Sequence, residues 1–390
     1  MDIKEEVNLL KDELIALRRD FHQHPELGFQ EFRTSKIVAE YLENLGLEVQ
    51  KNVAQTGVVG LLRGKQPGKT IALRTDMDAL PVIEETGLSF KSENEGVMHA
   101  CGHDGHVAMM LIAAKILSGK KDEIKGNIKF VFQPNEEDAG AEVMINEGIL
   151  ENPKVDAAVG IHLWSPIESG KVGIISGPLM ASSYYFKLIV NGKGGHGGSP
   201  HKAISPILAG VDMIKAIQGM VNNEIDALTP TIVTFGKFNS GTFPIIIPEI
   251  AEIEGSLRCL HPNTKAIQDR MQEIVEGVSI IHGTTCSLEF KCGNGLLNND
   301  EEMTAMVRSI AEENLGKENI VSSDISVMIG EDFSEFSDRV PSTFIFLGVA
   351  DKEKGTDYAH HHPKFNIDED ALPIGVEMHV RTALEYLNNN

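Results

Sequence analysis

Apolar positions follow helical spacing and short strand-like runs in alternation over the first 180 residues. Val7, Leu10, Leu14 and Leu17 lie on one face of an amphipathic helix predicted across the first twenty residues. Thr34 to Leu45 is a second helical stretch, stopped by Gly46. Thr56 to Arg63 and Thr70 to Arg74 are short apolar runs with β-branched residues and predict strands. A glycine and an aspartate open the stretch Cys101 to Leu117, which continues as an apolar helix. Asn127 to Gln133 is a strand ending in a Pro-containing turn, Ala139 to Glu147 a helix, and Ala157 to His162 a further strand. This β-α-β-α order predicts an α/β fold, a mostly parallel-stranded sheet with helices on both faces.

The rhythm changes near Ser182. Tyr184 to Asn191, Thr231 to Lys237, Ala251 to Cys259 and Cys286 to Lys291 predict four strands. Ala203 to Met220 and Lys265 to His282 predict two helices. The earlier pattern then returns, with a helix at Glu301 to Leu315, a strand at Ser342 to Leu347 and a last helix near Ala371 to Tyr386. The expectation is a discontinuous catalytic domain, residues 1–181 and 299–390, with an α+β domain inserted at 182–298. Asn388 to Asn390 reads as a frayed tail, and no internal repeat or low-complexity tract is visible.

Composition narrows the function classes. The 390 residues are 42% apolar and 24% charged, ordinary for a globular protein. A net charge of −22 argues against nucleic acid and against an anionic membrane surface. Four scattered cysteines argue for a reducing compartment, hence the cytoplasm, rather than a disulfide framework. No spanning segment or export signal is apparent.

Four ligand-rich clusters carry the candidate chemistry. Arg74-Thr75-Asp76-Met77-Asp78-Ala79-Leu80-Pro81 follows a strand, and His99-Ala100-Cys101-Gly102-His103-Asp104-Gly105-His106 opens a helix. Gln133-Pro134-Asn135-Glu136-Glu137-Asp138 and Gly160-Ile161-His162-Leu163-Trp164 are placed at further strand ends, where ligands of α/β sheets gather. Cys101 and His103 offer a thiolate and an imidazole, good ligands for zinc-like metals. One of Glu136 and Glu137 suffices as a ligand, leaving its neighbour to take a proton. With His162 and the run His360-His361-His362, the donors exceed one metal's four positions, so two metals sharing a ligand fit. Each cluster alone has a blander reading as packing, surface or solvated turn. Their co-occurrence in one α/β domain outweighs it.

Taken together, these segments resemble the aminoacylase/carboxypeptidase family of dinuclear metallopeptidases. The nearest branch holds N-acyl-amino-acid amidohydrolases, hippurate hydrolases and auxin-conjugate hydrolases. The resemblance also covers Arg19-Asp20-Phe21-His22-Gln23-His24-Pro25-Glu26-Leu27-Gly28-Phe29, the loop GKGGHGGSPH, Gly330-Glu331-Asp332-Phe333 and HHHPKF. It implies Cys101 as a bridging ligand, with His103, Glu137, His162 and His361 as terminal ligands to two divalent ions per subunit. His360 and His362 are alternatives to His361. Glu136 corresponds to the general base and Asp78 to a carboxylate steadying the site from behind. Asp76 stands where other branches have a ligand histidine, and its role is left open. His196 matches a histidine that reaches the partner's active site in a homodimer, where it stabilises an oxyanion. Arg258 matches a binder of the substrate carboxylate. One departure is Ile245, where the family often has a substrate-holding Asn.

The resemblance implies a metal-dependent amidohydrolase acting on N-acyl amino acids. Zinc or manganese is the expected metal, with cobalt or nickel as substitutes. A dipeptidase or carboxypeptidase on the same metals is the first alternative. A binding protein without turnover is the remote one, since the proton-transfer groups are all present.

Overall fold

A computed structural model describes residues 2–389, which divide into two compact units. One comprises the chain up to Leu179, then Asn298–Ser326, then the chain from Asp332 onward. The other holds Met180–Leu297 and the short return Val327–Glu331.

The first unit is built on an eight-stranded sheet. Its four central strands, Lys125–Gln133, Gln66–Asp76, Ala157–Glu168 and Ser342–Ala350, run parallel. Their cores are near-continuous apolar runs, as strands covered on both faces require. Gly57–Arg63 and then Glu48–Val53 extend the sheet antiparallel on one side. Val172–Gly173 and Ile320–Val321 finish the other side. The pattern predicts neither Glu48–Val53 nor the two short strands. EVQKNV buries a single residue, and two-residue strands carry no period to read.

At the centre of this unit lies the helix His103–Gly119, buried at every position from His103 to Ala114. A helix apolar on all sides belongs inside a core rather than on a surface. It packs against Lys11–Gln23, Leu372–Asn389 and the strand Gln66–Asp76. Leu14, Phe21, Leu73, Phe130 and Val376 belong to the same core. The predicted first helix is in fact two, Ile3–Leu9 and Lys11–Gln23. The Leu10 amide bonds Val7 O, three residues back, so the turn tightens and the helix restarts. The last helix runs through Asn388 and Asn389, which are therefore ordered rather than frayed. Met1 and Asn390 lie outside the described residues.

Two of the ligand clusters leave the sheet where strands stop, after Asp76 and Gln133. The third does not. Ala157–Glu168 continues past His162, because its ladder with Ser342–Ala350 carries on through Leu163 and Trp164.

The second unit is an antiparallel four-stranded sheet in the order Thr231–Ser240, Ile250–Cys259, Ser182–Asn191, Thr285–Asn294. Strand alternation puts Phe186, Leu188 and Val190 inside, with Tyr185 and Lys187 exposed. Helices Pro206–Asn223 and Thr264–His282 supply Met213, Ile217, Met271 and Val275 to that core. Ala181 N–H donates to Val327 O and Ile329 O, which ties the return segment to this unit. Among the described residues no helix is long and apolar enough to cross a membrane.

Candidate metal centre

Cys101 and His103 flank Gly102, whose φ of 94° is left-handed backbone that glycine adopts without steric cost. This residue caps the start of the buried helix. The donor atoms of Cys101, His103 and His162 lie within 4.8 Å of one another, and all three residues are buried.

Hydrogen bonds fix which atom each histidine presents. His103 Nδ1–H donates to Asp78 O at 2.9 Å and faces Asp78 Oδ1 at 3.2 Å. Its Nε2 is buried without a partner. His162 Nδ1–H donates to Leu163 O at 2.7 Å, so its Nε2 faces Cys101 Sγ at 3.5 Å. Holding the far nitrogen in this way is how proteins orient ligand histidines.

The electrostatics call for a cation. Burial pushes the Cys101 thiol up to about 12, with Glu137 and Asp76 adding to the rise against the opposing effect of His103. His103 moves well above the ordinary imidazole range. Burial opposes that shift, but Asp76, Cys101 and Asp78 outweigh it. Burial, followed by the neighbours His106 and His360, drives His162 well below that range, so it stays neutral. A buried thiol, an orphaned imidazole nitrogen and surrounding carboxylates fit a divalent ion of borderline softness.

The adjacent glutamates sit on a tight turn. Asn135 adopts φ 53°, and Glu136–Asp138 forms one turn of 3₁₀ helix. Asp78 Oδ2 accepts from Glu137 N–H at 3.2 Å. Glu137 Oε1 lies 3.1 Å from His361 Nε2. Donors of Cys101, Glu137 and His361 form one group within 4.8 Å, and those of His103, Glu136 and Glu137 form another. Cys101 thus belongs both to the buried trio and to a second group facing solvent. Glu136 is buried while Glu137 is exposed.

The three late histidines separate cleanly. His360 Nε2–H donates to Leu163 O at 2.9 Å, and its ring lies on Trp164. His362 Nδ1 accepts from Lys364 N–H at 3.0 Å, and its ring stacks on Tyr358. His361 alone of the three joins Cys101 and Glu137. Its φ is 65°, and its amide is pinned to Ala100 O at 2.8 Å. Such strained backbone persists only where surroundings enforce it.

Behind the donors lies a buried ionic network that the sequence reading left without roles. Arg74 donates to Gln133 Oε1 at 2.8 Å, Asp76 Oδ2 at 2.8 Å and Asp332 Oδ1 at 2.7 Å. Asp76 Oδ1 accepts from His106 Nδ1–H at 2.6 Å, and His106 Nε2 accepts from Leu163 N–H at 2.9 Å. Asp76, left open above, is thus tied to Arg74 and His106. Burial works against its charge, but His103, His106 and Arg74 prevail and hold the carboxyl well below its usual range. One signal for His106 was available: it stands three residues after His103, on the same helix face.

His196 and Arg258 belong to the second unit. His196 is exposed, opposite Ile246 in a two-stranded ladder. Its Nδ1 accepts from Gly198 N–H at 2.9 Å, which leaves Nε2 as the donor. Arg258 is half-buried on Ile250–Cys259 and donates one N–H to Met328 O at 3.0 Å. Ile245 is 57% exposed, and its carbonyl accepts from Gly197 N–H at 2.8 Å.

Comparison with known proteins places the chain in a family. Residues 72–385 match Peptidase family M20/M25/M40. Thermostable carboxypeptidase 1 of Saccharolobus solfataricus is 43% identical over 99% of this chain and 98% of its own. An N-acyl-L-amino acid amidohydrolase of Geobacillus stearothermophilus is 41% identical over 77% of this chain and 82% of its own. A crystal structure of a dinuclear metal binding peptidase from Bacillus subtilis superposes with TM-score 0.86 at 31% identity, covering 98% of this chain and 100% of that one. The chain belongs to Peptidase family M20/M25/M40 and is a metal-dependent hydrolase of the dinuclear type.

Proposed function

We propose that this hydrolase cleaves the amide bond of N-acyl amino acids, releasing a carboxylic acid and a free amino acid. One observation carries the reading: Cys101 is shared by two donor groups, with the buried carboxylate of Glu136 beside them. In this reading two divalent ions would be held by Cys101, common to both donor groups, together with His103, His162, Glu137 and His361. When bound there, such ions would supply Lewis acidity and lower the pKa of a water. The thiolate favours zinc, while the mixed sulfur, nitrogen and oxygen set also accepts manganese, cobalt or nickel.

The chain's own groups then divide the work. Glu136 takes the proton of the attacking water and returns it to the leaving nitrogen. Asp78 holds His103 in its ligand tautomer and steadies the Glu137 amide. His196 of the partner subunit offers its Nε2–H to the developing oxyanion. Arg258 keeps N–H groups beyond the one given to Met328, and these suit the substrate carboxylate.

The inserted domain, 182–298, serves in this reading as lid and dimerisation surface of a homodimer. Mixing inactive Glu136→Gln subunits with inactive His196→Ala subunits is expected to restore activity. No recovery from a confirmed mixed dimer would remove the role across subunits. A cytoplasmic location agrees with four cysteines that are all free thiols.

A carboxypeptidase or dipeptidase activity is the second reading, favoured by the carboxypeptidase relative. A hydrolysis screen separates the two. N-acetyl, N-benzoyl and long-chain N-acyl amino acids are run beside free dipeptides and blocked peptides, each with zinc, manganese, cobalt and nickel. The blocked amino acids are expected to be the better substrates. Preference for free dipeptides or blocked peptides would overturn the assignment.

A further inference from the structure

Glu31 is a carboxylate outside the donor groups, fully buried at 0% exposure. Each of its oxygens is engaged. Oε1 accepts from Asn135 N–H at 2.9 Å, and Oε2 accepts from the Thr56 hydroxyl at 2.5 Å. Burial pushes the carboxyl up to about 7, against the pull of the Thr56 and Asn135 bonds. A charge-bearing group in such a place is costly unless its partners need it.

The partner in question is the hinge of the acidic turn. Asn135 is left-handed at φ 53° and ψ 48°, a conformation its own side chain supports by donating to Asp138 O at 2.9 Å. Asn135 O in turn accepts from Gly140 N–H at 2.8 Å. The segment before Glu31 forms the floor. A Cβ added at Gly28 would lie 1.9 Å from Asn135 Oδ1, so only glycine lets the turn settle there. Glu26 O accepts from Ala79 N–H at 2.8 Å, which docks the same segment against the turn after Asp76. Glu136 and Glu137 follow Asn135 directly, and Asp78 already holds the Glu137 amide from the other side.

We propose that Glu31 is a positioning residue: it clamps the Asn135 amide and thereby sets the direction in which Glu136 and Glu137 leave the sheet. The catalytic half of this inference rests on the reading of Glu136 as the base. The clamp itself is independent of that reading.

Glu31→Gln keeps an acceptor for Asn135 N–H, whereas Glu31→Leu keeps the bulk and removes it. With the metal-reconstituted enzyme, Glu31→Gln is expected to retain kcat within about threefold. Glu31→Leu is expected to lose about tenfold or more in kcat with KM changed less than about twofold, since small misplacements of reacting groups are expensive. In the metal-free protein, hydrogen exchange at amides 135–141 is expected to speed up in Glu31→Leu and not in Glu31→Gln, with helix His103–Gly119 unaffected. Gly28→Ala pushes on the Asn135 side chain from the same segment and should give the Glu31→Leu signature. It decides the matter if Glu31→Leu fails to fold. Parent-like kcat in Glu31→Leu, or exchange that rises across the whole unit in both Glu31 variants, overturns the proposal. If the parent enzyme turns over none of the amide panel, the functional reading fails while the exchange result still decides the clamp.

Discussion

Glu136→Gln is expected to lower kcat by about 10²–10⁴-fold, the usual contribution of a positioned acid–base group. Both ions should remain bound. The amide of glutamine is close to isosteric with the carboxylate but does not accept the proton. Glu136 suits this role because it is buried beside the donors of His103 and Glu137 while its neighbour reaches His361. Metal content measured by elemental analysis, together with kcat, checks the assignment. Loss of one ion on this substitution would exchange the roles of Glu136 and Glu137.

Cys101→Ser is expected to be as damaging for a different reason. Substituting a group that only orients a ligand costs about 10–100-fold in metal affinity or activity. A thiolate common to both donor groups should cost more, because both groups lose a donor at once. The same substitution carries a pH signature. Without a cation, burial holds the Cys101 thiol up to about 12, so at neutral pH it keeps its proton. An incoming ion must displace that proton. Apparent metal affinity therefore falls as pH falls, by about tenfold per unit for each proton released. Calorimetry in buffers of different ionisation enthalpy counts those protons. The parent should release about one more than Cys101→Ser, and equal counts would mean that the thiol does not ligate.

Much of this site was legible because its chemistry is local in sequence. Cys101 and His103 share one turn, Glu136 and Glu137 are neighbours, and Asp78 follows a strand end by two residues. The α/β order was legible for a similar reason, since parallel strands buried on both faces write themselves as apolar runs. What escaped lies in contacts between distant positions. Arg74 meets Asp332 across 258 positions, and Glu31 meets Asn135 across 104. No local spacing announces either pair. Among His360, His361 and His362 the resemblance favoured His361 by its spacing to Pro363, but no contact could be read from it. In the structure the His360 and His362 rings are occupied by Leu163, Trp164, Lys364 and Tyr358, while His361 faces Glu137. The break at Leu10 left the apolar stripe intact, with Val7 and Leu14 both buried, so the pattern alone could not reveal it.

The placement of Ser342–Ala350 also governs the order in which the protein can be made. That strand lies between Ala157–Glu168 and Val172–Gly173, both synthesised much earlier. A gap in the sheet must therefore be held, or reopened, until the late strand arrives, which marks the fold as one dominated by long-range pairing and slow to complete. His361 follows that strand. On a growing chain the cup of Cys101, His103 and His162 can form first, while the outer group gains its last donor only after residue 361 has been translated. Among the donors, those of the inner cup are thus synthesised well before the outer group is complete.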